Sequence, residues 1–159
     1  AFAGHADSLR ERAHPPLITP HLGEYRRLIG EDAFTPENLI ETVREAATRW
    51  NAHVLLKGMP SVFGTPEGRV IVGPPGRPAL ATAGSGDVLA GTIVGLAAQG
   101  LCLEDAAICG MHLGVAAVDV WAAANGRPPE LATGLMASDL VEALPRAAAF
   151  FASSLPLSS

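Results

Sequence analysis

Cysteine is scarce in these 159 residues: only Cys102 and Cys109 occur, both inside an apolar, Ala-rich stretch. That setting favours two buried free thiols over a disulfide or a metal pair. Clustered basic residues are also lacking. The net charge is −5, the pI is near 5.5, and the Lys and Arg residues are scattered, so small molecules are expected as partners and nucleic acid is not. There is no uninterrupted apolar run of about 18 residues, hence no membrane partner is expected. The first residues do not form a basic region followed by an apolar segment and a cleavage site. A cytoplasmic protein is the simplest expectation. Internal repeats are absent too. What the chain does have is 48% hydrophobic and 17% charged residues, enough for one domain with a substantial core.

Along the chain, Pro16 to Thr19 (PLIT) has the character of a short buried strand running into a turn at Pro20-His21-Leu22-Gly23-Glu24. Leu22, Tyr25, Leu28 and Ile29 then recur at helical spacing, with Gly30 placed to end that helix. A second helix is announced by Thr35 as N-cap and Pro36 in the first turn, with Leu39, Val43, Ala46, Ala47 and Trp50 as its apolar stripe and a Glu45–Arg49 pair on its polar face. Val54-Leu55-Leu56 is a continuous apolar run ending at Lys57-Gly58, as in a central strand covered on both faces. Ser61 to Phe63 and Arg69 to Val72 flank the turn-rich Gly64 to Gly68, which predicts a hairpin. From Gly84 to Gly100 and from Leu103 to Ala124, apolar and small residues occupy nearly every helical face, so both helices are expected in the core. A last helix from Ala137 to about Phe151, capped by Ser138 or Thr133, completes the pattern. The sum is an α/β layered fold with a mostly parallel sheet, a domain over residues 1–152 and a frayed tail over 153–159.

The segment Ala81 to Gly91 (ATAGSGDVLAG) places two glycines and Asp87 at the entrance of an apolar helix. First-turn N–H groups have no intrahelical partner and the helix dipole adds positive charge, so an anion such as a transferring phosphoryl group is stabilised there. Asp87 can be a helix-start carboxylate that complements the dipole, or a general base taking a proton from an attacking hydroxyl. Taken alone, the short glycine motif favours the first role. Two other segments shift that balance: Lys57-Gly58 and Thr19 to Glu24 both sit at the carboxyl ends of strands, the edge where open α/β sheets bind ligands.

The ordered set TPHLGE (19 to 24), VLLKG (54 to 58), GRPALATAGSGDVLAG (76 to 91), AAQG (97 to 100) and GLMASDL (134 to 140) resembles the ADP-dependent NAD(P)H-hydrate dehydratase family of the ribokinase-like superfamily. The resemblance implies a three-layer α/β/α fold and a lyase that repairs the S form of NADH or NADPH hydrate. ADP phosphorylates the ring hydroxyl and phosphate then leaves, pushed by the ring nitrogen, giving AMP, phosphate and NAD(P)H. By this resemblance Asp87 is the base at the substrate, Gly86 a nucleotide contact, and Gly84 and Ser85 shape the anion hole. Lys57, Gly58, Met59, Pro60 and Ser61 line the AMP moiety, and His21 contacts the substrate. Mg²⁺ is expected with the nucleotide, with no dedicated protein cage for it.

Ala83 stands where the family commonly has glycine, Ser61 where it has threonine, and His5 where its DADAL stretch begins with an acid. His112 reads as a packed core histidine, and His14 and His53 as incidental. Family domains carry further sequence before the DADAL-like stretch, so the chain reads as lacking the N-terminal part of the domain. Homo-oligomerisation as a tetramer and an associated NAD(P)H-hydrate epimerase also follow from the resemblance; Gly91, Gly95, Ala97 and Ala98 would permit close helix packing. Two other readings use the same residues: a vitamin or sugar kinase of the superfamily, and a non-catalytic, oligomerising nucleotide-binding module.

Overall fold

A computed structural model describes residues 5–29 and 38–154. Its strands are β1 (Leu17–Ile18), β2 (His53–Leu56), β3 (Val62–Gly64) and β4 (Val70–Val72). The helices are α1 (Leu22–Ile29), α2 (Leu39–Trp50), α3 (Ser85–Ala98), α4 (Leu103–Ala124) and α5 (Ala137–Ser154), with short 3₁₀ turns at Ala6–Glu11, Pro78–Ala81 and Pro129–Leu131. α5 thus runs past the expected domain end at 152. The proposed caps at Thr35 and Pro36 and the stop at Gly30 lie outside the described residues, as do 155–159.

β1 and β2 pair in parallel, Leu17 opposite His53 and Ile18 opposite Val54, with α1 and α2 in the crossover that parallel pairing requires. β3 joins β2 antiparallel, and β4 joins β3 in the same sense. The four-stranded sheet, in the order β1-β2-β3-β4, is therefore mixed, where the sequence suggested a mostly parallel one. The cause is local: Lys57 to Ser61 and Thr65 to Arg69 are too short for crossovers, so each strand can only turn back on its neighbour.

Alternation along β2 and β3 builds two cores. Val54, Leu56 and Val62 face Val43, Ala47 and Trp50 of α2, joined by Tyr25 and by Ala6 and Leu9 of the first 3₁₀ turn. Leu55 and Phe63 face the other way, against Ile93 of α3 and Ala106, Ala107 and Met111 of α4. Leu55 and Phe63 are fully buried, and each contributes about 2–3 kcal/mol by area. A third cluster joins α4 to α5 through Ala117, Val118, Ala122, Leu140, Ala143 and Ala147. The result is the expected α/β/α layering. α4 is long and apolar enough to cross a membrane by length and composition alone. Here its apolar stripe packs on α5, α3 and the sheet.

Several expectations fail at the surface. α3 buries only Ile93 completely, and Val94 is 67% exposed, so that helix is half-covered and not a core helix on every face. Cys102 and Cys109 are free but exposed, and His112 is exposed as well. All three lie with Asp105 on one stripe of α4, opposite the stripe of Ala106, Ala107, Gly110 and Met111 that meets the core. Arg49 does not pair within α2; it donates twice to the Asp7 carboxylate, at 2.7 and 2.6 Å, and this charge-assisted bonding holds the Asp7 carboxyl below its ordinary pKa. The start of α5 is capped by Asp139, whose carboxylate accepts the Met136 N–H at 2.7 Å, while Thr133 accepts from Arg127 instead.

Candidate functional site

The carboxyl ends of β1 and β2 leave the sheet side by side. The Lys57 N–H donates to the Pro20 carbonyl at 2.8 Å, and His21 and Lys57 form a parallel bridge, so the segments 19–24 and 54–58 arrive at one edge of the sheet. The turn after Lys57 closes on itself: the Gly58 N–H donates to Ser61 Oγ at 3.3 Å, and Ser61 Oγ donates to the Gly58 carbonyl at 3.2 Å. Serine supplies the hydroxyl this closure needs, so its substitution for threonine leaves the turn intact.

Facing that edge is the N-terminus of α3. Gly84 is its N-cap at φ +85°, a left-handed conformation that a side chain would strain, and its carbonyl accepts the Asp87 and Val88 N–H groups at 3.0 and 3.1 Å. Ser85 Oγ donates to the Leu80 carbonyl at 2.6 Å, fastening the helix start to the turn Pro78–Ala81. A Cβ built on Gly86 would stand 2.7 Å from Lys57 Nζ. The only ammonium side chain in the sequence is therefore held against the positive end of a helix, with no ion-pair partner within 4 Å among the described residues. Two positive sources that would repel each other converge on one spot, which is the electrostatic signature of a place for an anion.

These elements enclose a cavity of about 710 Å³, large enough for a nucleotide-sized ligand. His21, Lys57, Gly58, Met59, Ser61, Gly84, Ser85, Gly86 and Asp87 all line it, so the structure gathers nearly every residue the sequence nominated. Pro60 is the exception, facing a smaller apolar groove beside Met59 and Val72. The far wall is mostly apolar, with Leu89 of α3, Gly110 and Gly114 of α4, and Leu140 and Leu144 of α5, beside Thr92, whose hydroxyl donates to the Val88 carbonyl at 2.8 Å.

Two contributors escaped the sequence reading. Arg77 lines the cavity and is gripped bidentately by Asp119 of α4, at 2.7 and 3.0 Å. No local pattern could have announced that pair, whose members lie on separate elements. Glu24 belongs to the quoted TPHLGE stretch, but its spacing three residues after His21 was the overlooked signal. Its carboxylate accepts the His21 N–H at 2.8 Å, and that bond, with the nearby His21 and Lys57, holds its carboxyl below the ordinary pKa.

Comparison with known proteins gives the family and the fold. Residues 2–145 match the family model of NAD(P)H-hydrate dehydratase. A bifunctional NAD(P)H-hydrate repair enzyme of Salinibacter ruber is 45% identical over 150 residues, 94% of this chain and 27% of its own length. That of Moorella thermoacetica is 45% identical over 134 residues, 83% and 24% respectively. The structure of an ADP/ATP-dependent NAD(P)H-hydrate dehydratase from Bacillus subtilis, co-crystallised with ATP and Mg²⁺, superposes with a TM-score of 0.76 at 29% identity, covering 86% of this chain and 48% of that one. The chain thus spans about a quarter of the curated relatives and about half of the solved structure it matches.

Proposed function

This chain belongs to the NAD(P)H-hydrate dehydratase family, and from that premise we propose that it carries the nucleotide-binding and catalytic part of an enzyme that dehydrates the S form of NAD(P)H hydrate at the expense of ADP. One observation carries the reading: the Lys57 ammonium, the N-terminus of α3 and the Asp87 carboxylate share one cavity. A terminal phosphoryl group at the glycine turn would be held by the helix dipole, first-turn N–H groups and the ammonium. Asp87, in that same first turn, would take the proton of the hydrate's ring hydroxyl. The hydroxyl oxygen attacks the terminal phosphorus of ADP, and AMP leaves. The ring nitrogen then pushes out phosphate, and loss of a ring proton restores the double bond of NAD(P)H. Lys57 to Ser61 would line the AMP moiety and His21 would contact the substrate.

The residues present also fit Mg²⁺. Among the described residues no three His, Cys, Asp or Glu side chains converge as a cage. Mg²⁺ keeps several waters and is commonly held through substrate phosphates, not by an all-protein cage, so the ion would ride on the nucleotide's phosphates at the Gly84 to Gly86 turn with water completing its shell, and Asp87 stays free to act as the base. When bound, the ion neutralises charge developing on the phosphoryl oxygens. A tetrameric assembly, a cytoplasmic location and an epimerase fused to or acting beside this domain accompany the reading; the bifunctional names of the relatives support the last.

The test is an assay of the full-length protein with hydrated NADPH and either ADP or ATP. Formation of NADPH with AMP and phosphate from ADP is the expected outcome. Phosphorylation of a small alcohol without any dehydration would replace this reading with that of a kinase using the same base and anion site.

A further inference from the structure

His21 immediately precedes α1 and caps it. Its Nδ1 accepts the N–H groups of Gly23 at 3.0 Å and Glu24 at 3.3 Å, while the Glu24 carboxylate reaches back to accept the His21 N–H at 2.8 Å through Oε2. This is a capping box with histidine in the place usually held by serine or threonine. A hydroxyl cap can rotate its proton away and still serve other partners. An imidazole cannot: a ring nitrogen that accepts an N–H bears no proton, so in the neutral ring the proton lies on the other nitrogen. The cap therefore dictates the chemistry of Nε2. The second Glu24 oxygen, Oε1, lies 3.6 Å from Nε2, on the side favourable to a proton there but beyond a good hydrogen bond. His21 lines the cavity, and its backbone bridges to that of Lys57, so the imidazole and the ammonium belong to the same edge of the site.

We infer that Glu24 is a positioning residue: the capping box it closes holds the His21 imidazole with its proton on Nε2, so that His21 meets the bound ligand as a hydrogen-bond donor to an acceptor oxygen and not as a base. That the acceptor belongs to the hydrated nicotinamide substrate rests on the dehydratase reading; the position of the proton does not. The division also removes a rival for the base, because the only His21 nitrogen able to accept a proton is already occupied by helix N–H groups.

The proton position is read by long-range ¹H–¹⁵N correlation spectra of the full-length protein labelled at histidine, with the His21 signals assigned by their loss in His21→Asn. The wild type should show an unprotonated Nδ1 and a protonated Nε2. Glu24→Gln, whose amide oxygen still accepts the His21 N–H, should keep that pattern. Glu24→Ala should lose it to a mixture of the two neutral forms, and should raise KM for hydrated NADPH about tenfold, the effect of one misplaced hydrogen bond, with kcat little changed; Glu24→Gln should restore KM. A proton on Nδ1 in the wild type overturns the inference, as does a Glu24→Ala spectrum identical to wild type. A changed spectrum with unchanged KM overturns the donor role toward the ligand. If the protein shows no dehydration at all, the spectra still decide where the proton sits, and only the dehydratase reading falls.

Discussion

Gly86→Ala adds one methyl group where the Lys57 ammonium now lies. The new Cβ would stand 2.7 Å from Nζ but 3.6 and 3.7 Å from Cδ and Cε, so only the end of a flexible side chain must move. Gly86 is not among the residues with positive φ, so alanine adopts its backbone without strain. Alanine is also the better helix former, by up to about 1 kcal/mol. Stability should hold or rise slightly. Binding should not. If the ammonium retreats from about 4 to about 6 Å from a unit of phosphate charge, their attraction at an effective dielectric of about 20 falls from about 4 to about 2.8 kcal/mol. That difference is about tenfold in affinity, before any loss from the methyl group's own obstruction of the phosphate. Isothermal titration with ADP and Mg²⁺, paired with a thermal melt, should give a Kd about tenfold higher at an unchanged or higher Tm. Because Lys57→Met removes the same attraction, the double variant should lose little beyond the worse single one, a coupling that independent sites do not show. Wild-type affinity in a folded Gly86→Ala protein would refute the anion site.

Asp87→Asn should lower dehydration by about 10²–10⁴-fold, the worth of a positioned base, while calorimetric nucleotide binding stays near wild type; undiminished turnover would exclude Asp87 as the base. His53 stacks on Phe63 with its Nδ1 buried and unpartnered, and burial lowers its pKa despite the nearby Glu67 and Glu104. The unfolded chain therefore takes up this proton near its ordinary pKa of about 6.5 while the folded chain still resists it. In that window stability falls as pH falls, and it levels off once the folded form is protonated too. Urea midpoints at pH 7 and pH 5 should differ less in His53→Phe than in wild type, and equal differences would clear His53 of the effect. Asp119→Asn should cost about 1 kcal/mol in urea unfolding by loosening the bidentate hold on Arg77. It should also weaken nucleotide binding, because Arg77 anchors the turn to which Ser85 is fastened; binding as in wild type would free that turn from dependence on the ion pair.

What the sequence by itself determined is periodic and local. The spacing of Leu39, Val43, Ala46, Ala47 and Trp50 put α2 on the sheet by one face, and Val54 to Leu56 read as a covered strand. Glycines around a serine before Asp87 marked a helix start suited to an anion, and the family resemblance named the chemistry. Periodicity shows which stripe of a helix is apolar but not what covers it, which is why Val94 is exposed on a helix expected in the core, and why Cys102, Cys109 and His112 surface on the uncovered stripe of α4. Only the tertiary structure decided that Lys57 lies against Gly86, that Arg49 serves Asp7, and that Asp119 holds Arg77. Each of these joins separate elements, and charged side chains of that reach take whichever partner packing brings near. The anion site was half written in the Gly84 to Asp87 turn; its second half, the ammonium, arrived only when two parallel strands set Lys57 across from the helix.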